Sequence, residues 1–288
     1  LNYSKNWWII TSLFWIFFSL ILAKLTPTLI IPLFFKYTPL SDTELKSRII
    51  NLASKMQINI LDVSQIDFSK KTLKANAAFV GMGKQKRVIL ADTLRDNYSY
   101  DEIEAILAHE FAHYKLKHLL KLILISSFLT IVMFYSLSTS FLQHLLKINS
   151  ISDITYLPII LLFVILFDTI FTPFKNFLSR KLEENADRLA LRFTLKPDAF
   201  VSMMEKLANQ NLADRKPAWF IKIFFFDHPA IEDRINLAKK FKRRHNLRNR
   251  MNVSCMSEFT PLSKLNIVEI ANLRGRVIDK ILSLNYNA

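Results

Sequence analysis

The sequence predicts a mainly α-helical integral membrane protein with a small β edge hairpin. Three observations predict it. Hydrophobic residues make up 51% of the 288 residues and mean hydropathy is positive, which is too apolar for an average soluble chain. Three long stretches carry almost no charge, and the segments between them show helical apolar spacing with only one pair of neighbouring strand-like runs. The length allows one or two domains. The formal net charge of +15 is compatible with nucleic acid, an anionic lipid surface, or cytoplasmic loops obeying the positive-inside rule. The apolar stretches favour the last two, and no aromatic–basic interleaving supports nucleic acid as a partner.

The chain divides into five segments. Residues 1–35 hold an N-terminal span and a Pro-broken apolar segment. A first catalytic part covers 36–121, a helical hairpin of spans 122–174, a second catalytic part 175–246, and a basic, amphipathic tail 247–288. The sequence begins with Leu1 rather than Met, which points to a fragment or a processed product with sequence missing upstream.

Trp7 to Ala23 is an uncharged run of seventeen residues between Lys5 and Lys24, at the short end of what crosses a bilayer. Trp7 and Trp8 read as an interfacial aromatic belt. A signal peptide is the competing reading, but no small-residue cleavage site follows, and the run leads into Leu25 to Phe35, broken by Pro27 and Pro32. Beyond residue 36 the composition turns polar. Leu45, Ile49, Leu52 and Met56 have helical spacing, whereas Ile58, Ile60 and Val63 suggest a short strand. Ala77 to Val80 and Arg87 to Ala91, separated by Gly81-Met82-Gly83-Lys84, read as a hairpin. Its strand could be purely structural, or it could present an edge on which an extended peptide lies.

Leu122 to Gln143 and Ile154 to Phe174 are two more spans, the second interrupted by Pro158 and Asp168. The short link from His144 to Asp153 returns the chain to the face it left. Of the 39 Lys and Arg, all but Lys5 and Lys147 fall in segments assigned to that face, so the positive-inside rule makes it cytosolic. The bacterial inner membrane is the expected location, or the endoplasmic reticulum in a eukaryote. Asp168 is either a functional group within a span, as a transporter would use, or a residue reaching the interface.

A capping box of Ser99 and Glu102 opens a helix expected to run to Lys121, with Ile103, Ile106, Leu107 and Phe111 as its buried stripe. This helix carries His109-Glu110-Phe111-Ala112-His113. Residues four apart share a helix face, so both imidazoles project together with Glu110 one step round. That is half of a zinc site, zincin-like in its helical setting. Catalytic zinc takes three protein ligands and a water whose pKa it lowers towards neutrality, and Glu110 can accept the proton of that water. The rival reading is two solvated histidines on an amphipathic helix. Cys255 is the single cysteine, so any metal is held by His and carboxylate.

Past the third span, Leu182, Ala186, Leu189 and Phe193 form a stripe with Glu183 and Asp187 on one face beside it. Glu183 could complete the zinc's ligands, and Asp187 could accept the spare ring N–H of a ligating His. An exposed acidic patch is the alternative, since Glu184 is adjacent.

Taken in order, these motifs resemble the type I CAAX prenyl protease family of integral-membrane zinc metallopeptidases, with heat-shock membrane proteases of the HtpX type more distantly similar. The resemblance is carried by Asn76 to Gly81, Lys86 to Leu94, His109 to His113, His118, Glu183-x-x-Ala186-Asp187 and His228-Pro229-x-x-x-x-Arg234, and it covers roughly residues 25 to 245. It implies one zinc ion per chain held by His109, His113 and Glu183, with Glu110 as general base. It also implies that Asn76 and Ala77 hold the substrate backbone, and that His228 and Arg234 bind substrate and steady the oxyanion. The implied activity is endoproteolysis of prenylated CAAX-type or membrane-protein substrates within a lipid bilayer. A membrane quality-control protease, or a zinc-stabilised scaffold without activity, are the alternatives. Three departures stand out: three spans where the family has seven, Ala112 where many relatives carry Gly, and Asp227 before His228 where relatives often have a small hydroxyl residue. A negative charge there could lower substrate affinity or shift His228. Residues 247–288 lie beyond the resemblance.

Overall fold

The computed structural model describes residues 6–26, 37–67, 69, 77–80, 86–148, 153–210 and 214–257. Most of the Pro-broken segment, the Gly81–Lys84 turn, Asn76, and Pro261 with the amphipathic run after it lie outside the described residues. The chain forms two compact units, 1–239 and 240–288. In the second, the described part is helix up to Ser257, on which the Phe241 and His245 rings stack at 6.1 Å.

The expected mostly helical architecture with a small sheet is observed. Helix α1 (Trp7–Leu25) is followed by β1 (Tyr37–Pro39), α2 (Thr43–Lys55), β2 (Asp62–Ile66), β3 (Ala77–Val80) and β4 (Arg87–Ala91). Then come α3 (Asp92–Asn97), α4 (Tyr100–Lys115), α5 (His118–Ser138), α6 (Ser140–Leu145), α7 (Leu157–Thr194), α8 (Pro197–Gln210), α9 (Trp219–Phe225) and α10 (Ile231–Ser257).

The sheet is larger than the expected hairpin. Its four strands run β1-β2-β4-β3, with β3–β4 and β1–β2 antiparallel and β2–β4 parallel. Strand β4 is central, and its Val88, Ile89, Leu90 and Ala91 are buried, as a strand covered on both faces requires. The hairpin reading of β3 and β4 holds, and β3 is an edge strand. The strand expected from Ile58 begins instead at Asp62. Ile58 is buried, but its N–H closes the end of α2 on the Ala53 carbonyl at 2.8 Å, which ties it to the helix rather than to the sheet.

Helix α4 is the hub. Its neighbours are α7, α8, α2 and β3. Ala105, Ala108 and Ala112 on α4, and Ala186 and Ala190 on α7, are all fully buried, and small side chains let two backbones approach closely. Ala112 thus occupies a position that tolerates little bulk. The capping box is present, Ser99 N–H donating to Glu102 at 2.7 Å and Ser99 Oγ accepting from Glu102 N–H at 3.4 Å. Glu102 also receives Ser202 Oγ at 2.6 Å and Lys206 Nζ at 2.7 Å from α8, so one carboxylate both starts α4 and fastens α8 to it. Burial raises the carboxyl's pKa, but Lys206, Ser202 and the Ser99 N–H outweigh this and hold it below its ordinary value. Such a group contributes stability that is fully present above the unfolded-state pKa and is lost as pH falls through the lower folded-state value. Glu102→Gln is therefore expected to cost about 1–3 kcal/mol at pH 7, less than a fully buried pair because Lys206 is half exposed. Unfolding curves of the two proteins should converge as the pH is lowered through the acid range.

Helix α4 ends at Lys115, not at Lys121. Lys117 adopts a left-handed conformation with φ 54°, which breaks the helix, and α5 starts afresh at His118. A continuous helix would carry residue 118 well away from the face of residue 113. The break turns His118 back towards it.

Helices α5 and α7 are long and apolar enough to cross a membrane. Only 6% of the apolar window of α5 and none of that of α7 is buried, which excludes the core helices of a soluble domain and is what lipid-facing helices show. The apolar run of α1 is shorter. It packs along α5, with Trp8 edge-on to Tyr135 at 5.1 Å. The third span and the acidic motif, read separately from the sequence, belong to one 38-residue helix, α7, which runs through Pro173 without interruption. Asp168 pairs with Lys175 at 2.5 Å and its side chain is 67% exposed, so its charge is met at the end of the span. That is the interfacial reading rather than the transporter one.

Candidate metal centre

The buried face of the catalytic-side part of α7 consists of Glu183, Ala186, Asp187, Ala190 and Leu191. Leu182, Leu189 and Phe193 are only half-buried. The expected stripe is thus rotated, and the two acids sit within the contact with α4 rather than beside it. This places Glu183 Oε2 3.2 Å from His109 Nε2 and Glu183 Oε1 3.2 Å from His113 Nε2, with the two Nε2 atoms 3.0 Å apart. One ligand atom from each of His109, His113 and Glu183 lies within 4.8 Å of the others.

Asp187, fully buried, lies 2.8 Å from His109 Nδ1. A neutral imidazole that donates Nδ1–H to Asp187 turns the lone pair of Nε2 towards Glu183. Arg234, in the first turn of α10, donates Nε–H to Asp187 Oδ2 at 2.8 Å and Nη2–H to Oδ1 at 2.6 Å. This two-point bond holds the carboxylate in place. Burial disfavours a charged His109, but the Asp187 and Glu183 carboxylates beside it outweigh this and raise the metal-free ring to about 9.

His118, 1% exposed, reaches His113 Nδ1 with its own Nδ1 at 3.0 Å. One of the two must donate, and with His113 as donor its Nε2 also presents a lone pair to the centre. His118→Ala is expected to weaken metal affinity by about 10–100-fold, measured by competition with a chelator. His228 Nδ1 lies 3.0 Å from Glu183 Oε2, and Nε2 lies 3.8 Å from Asp227 Oδ1. The Glu183 contact raises the His228 pKa above its ordinary value against partial desolvation of the ring, and Asp227 adds to the rise. Glu110 is half-buried on α4, and among the described residues it has no hydrogen-bond or ion-pair partner.

The buried Glu183 Oε2 makes no hydrogen bond, although two ring nitrogens stand within 3.2 Å of it. A buried acceptor without a donor is costly. Two imidazole lone pairs and a carboxylate converging on one point form the donor set that a divalent ion such as zinc takes. The residues fit a metal.

The structure thus brings His109, His113, Glu183, Asp187, His228 and Arg234 together, with Glu110 one position from His109. Ala77 opens the edge strand β3, against which α4 packs. Two residues went unread in the sequence. Asn176 Nδ2 donates to the carbonyls of Ile223 and Phe224 at 3.2 and 2.9 Å, and Arg180 Nη1 to those of Lys222 and Phe226 at 2.7 and 2.6 Å. They fasten the end of α9, three residues before His228. Their spacing of four on one helix face was visible, but their backbone targets lie more than forty residues away.

Residues 39–242 match peptidase family M48. The chain belongs to that family. It is 32% identical to an uncharacterized metalloprotease, YhfN, of Bacillus subtilis, over 83% of this chain and 58% of that protein. It is 29% identical to CAAX prenyl protease 1 of Saccharomyces cerevisiae, over 80% of this chain and 54% of that one. The crystal structure of S. mikatae Ste24p shares the fold with a TM-score of 0.70 at 24% identity, covering 80% of this chain and 58% of that one. This M48 chain spans little more than half the length of the curated relatives it matches. The resemblance read from the motifs is borne out at the level of family.

Proposed function

We propose that this M48 chain acts as a zinc-dependent endopeptidase of a membrane, with His109, His113 and Glu183 as metal ligands and Glu110 as general base. The observation that carries the reading is the convergence of His109, His113 and the buried Glu183, whose Oε2 has no hydrogen-bond donor, with Glu110 one position from His109. Bound zinc would supply an acidified water and polarise the scissile carbonyl. Glu110, one position from His109 on the same helix, is placed to take a proton and return it to the leaving amine. Asp187 and Arg234 hold His109 in the ligating tautomer. His228, with Nδ1 3.0 Å from Glu183 Oε2, stands beside the centre and is positioned to steady developing negative charge. Two of the three guanidinium nitrogens of Arg234 are bonded to Asp187, so any donation to an oxyanion would come from the third, Nη1. The edge strand β3, with Ala77 at its start, would take the substrate backbone as an added strand, and Asn76, next to it in the sequence, is assigned to the same backbone by the family resemblance alone.

Glu183 lies nine residues beyond Phe174 on the same helix, about 13 Å along its axis. A bond cleaved there lies near the headgroup layer, so the substrate is a peptide or protein anchored in the bilayer, of which a prenylated C-terminus is one form. The basic flanks of the spans set the centre on the cytosolic side. The test is cleavage of a membrane-anchored reporter peptide in proteoliposomes. Cleavage that stops on chelation and returns with zinc supports the reading; cleavage indifferent to chelator contradicts it.

A further inference from the structure

Helix α9 presents four large aromatic side chains to the exterior: Trp219 is 73% exposed, Phe220 51%, Phe224 44% and Phe225 78%. Its single cation, Lys222, is turned to Asp233 at 2.9 Å, so the outward face is apolar. No water-facing helix of seven residues gains from such a face. The height of the helix is fixed. Asn176 and Arg180 bind its last carbonyls, and they stand two and six residues beyond Phe174, the end of the apolar run of α7. At 1.5 Å per residue this seats the end of α9 about 3–9 Å past the hydrocarbon boundary, the layer in which Trp and Phe collect.

We infer that α9 is an interfacial anchor that lies in the headgroup layer of the bilayer with its aromatic face towards lipid. The inference rests on α7 being a span, as the proposed function does. It gives the latch a purpose: His228 follows α9 by three residues, so the same bonds that seat the helix in lipid set the height of His228 against Glu183. Continuity with the span argues for lipid over a protein partner, because α9 is bonded to the stretch of α7 that carries the exposed Phe174 and Phe177 at the end of its apolar run.

The test is depth-resolved quenching on the full chain in liposomes. A Cys255→Ser protein carrying Phe225→Cys is labelled with an environment-sensitive fluorophore. Matching labels go at Ile165, exposed within the span, and at Leu61, exposed on the catalytic unit. The label at 225 is expected to be quenched by lipids spin-labelled near the headgroup and to be at least about twofold less quenched by aqueous iodide than the label at 61. Equal iodide quenching at 225 and 61 overturns the inference. Protection at 225 from both quenchers also overturns it, since protein then covers the face. Failure of lipid probes to quench the label at 165 removes the span itself, and with it the proposed membrane setting. Phe224→Ser with Phe225→Ser should weaken lipid quenching of a label at Phe220→Cys while leaving that at 165 unchanged.

Discussion

Glu110→Gln is expected to remove peptide hydrolysis and to leave the metal bound. Glutamine keeps the shape of the side chain but cannot accept a proton, and a positioned general base contributes about 10²–10⁴-fold to rate. The loss should fall on kcat rather than on substrate binding, because Glu110 makes no structural bond among the described residues. For the same reason the variant should unfold at the wild-type temperature. Single-turnover cleavage of the anchored reporter, beside metal content and thermal unfolding of the same sample, checks all three. Loss of metal together with activity would place Glu110 among the ligands instead.

Asp187→Ala is expected to damage both stability and metal affinity, by separable routes. Asp187 is fully buried, and Arg234 is nearly so. Removing the carboxylate strands a buried guanidinium, at about 3–5 kcal/mol. It also frees His109 to change tautomer, which should lower metal affinity by about 10–100-fold. Combining Asp187→Ala with Arg234→Met removes the stranded charge, so most of the stability should return, while metal affinity stays low because nothing yet holds His109 Nδ1. Recovery of both in the double variant would show that Asp187 acts only through Arg234.

The parts of the site legible in the sequence were those set by local helix geometry. His109 with His113, Glu183 with Asp187, and Ser99 with Glu102 are pairs whose spacing alone fixes a shared face or a cap. That Glu183 and His109 meet followed from topology, since two antiparallel spans bring their flanks together. What stayed hidden depended on distant partners. The parallel pairing of β2 with β4 leaves no local trace, unlike the hairpin of β3 with β4. The end of α4 turns on a left-handed lysine, a conformation for which Lys117 gives no signal. The length of α7 was obscured because its apolar run ends at Phe174, where Lys175 opens a charged stretch, so span and acidic motif read as separate segments of what is one helix. Neither the latch of Asn176 and Arg180 nor the bidentate grip of Arg234 on Asp187 could be read before α9 and α10 were placed.

The central claim is that His109, His113 and Glu183 share one metal ion. Metal content of the purified chain, measured by mass spectrometry with wild type, His113→Ala and Glu183→Ala prepared side by side, tests it most directly. The account predicts about one zinc per chain in wild type and almost none in either variant. Equal metal in all three proteins, or none in a wild type that still cleaves peptide, would contradict it.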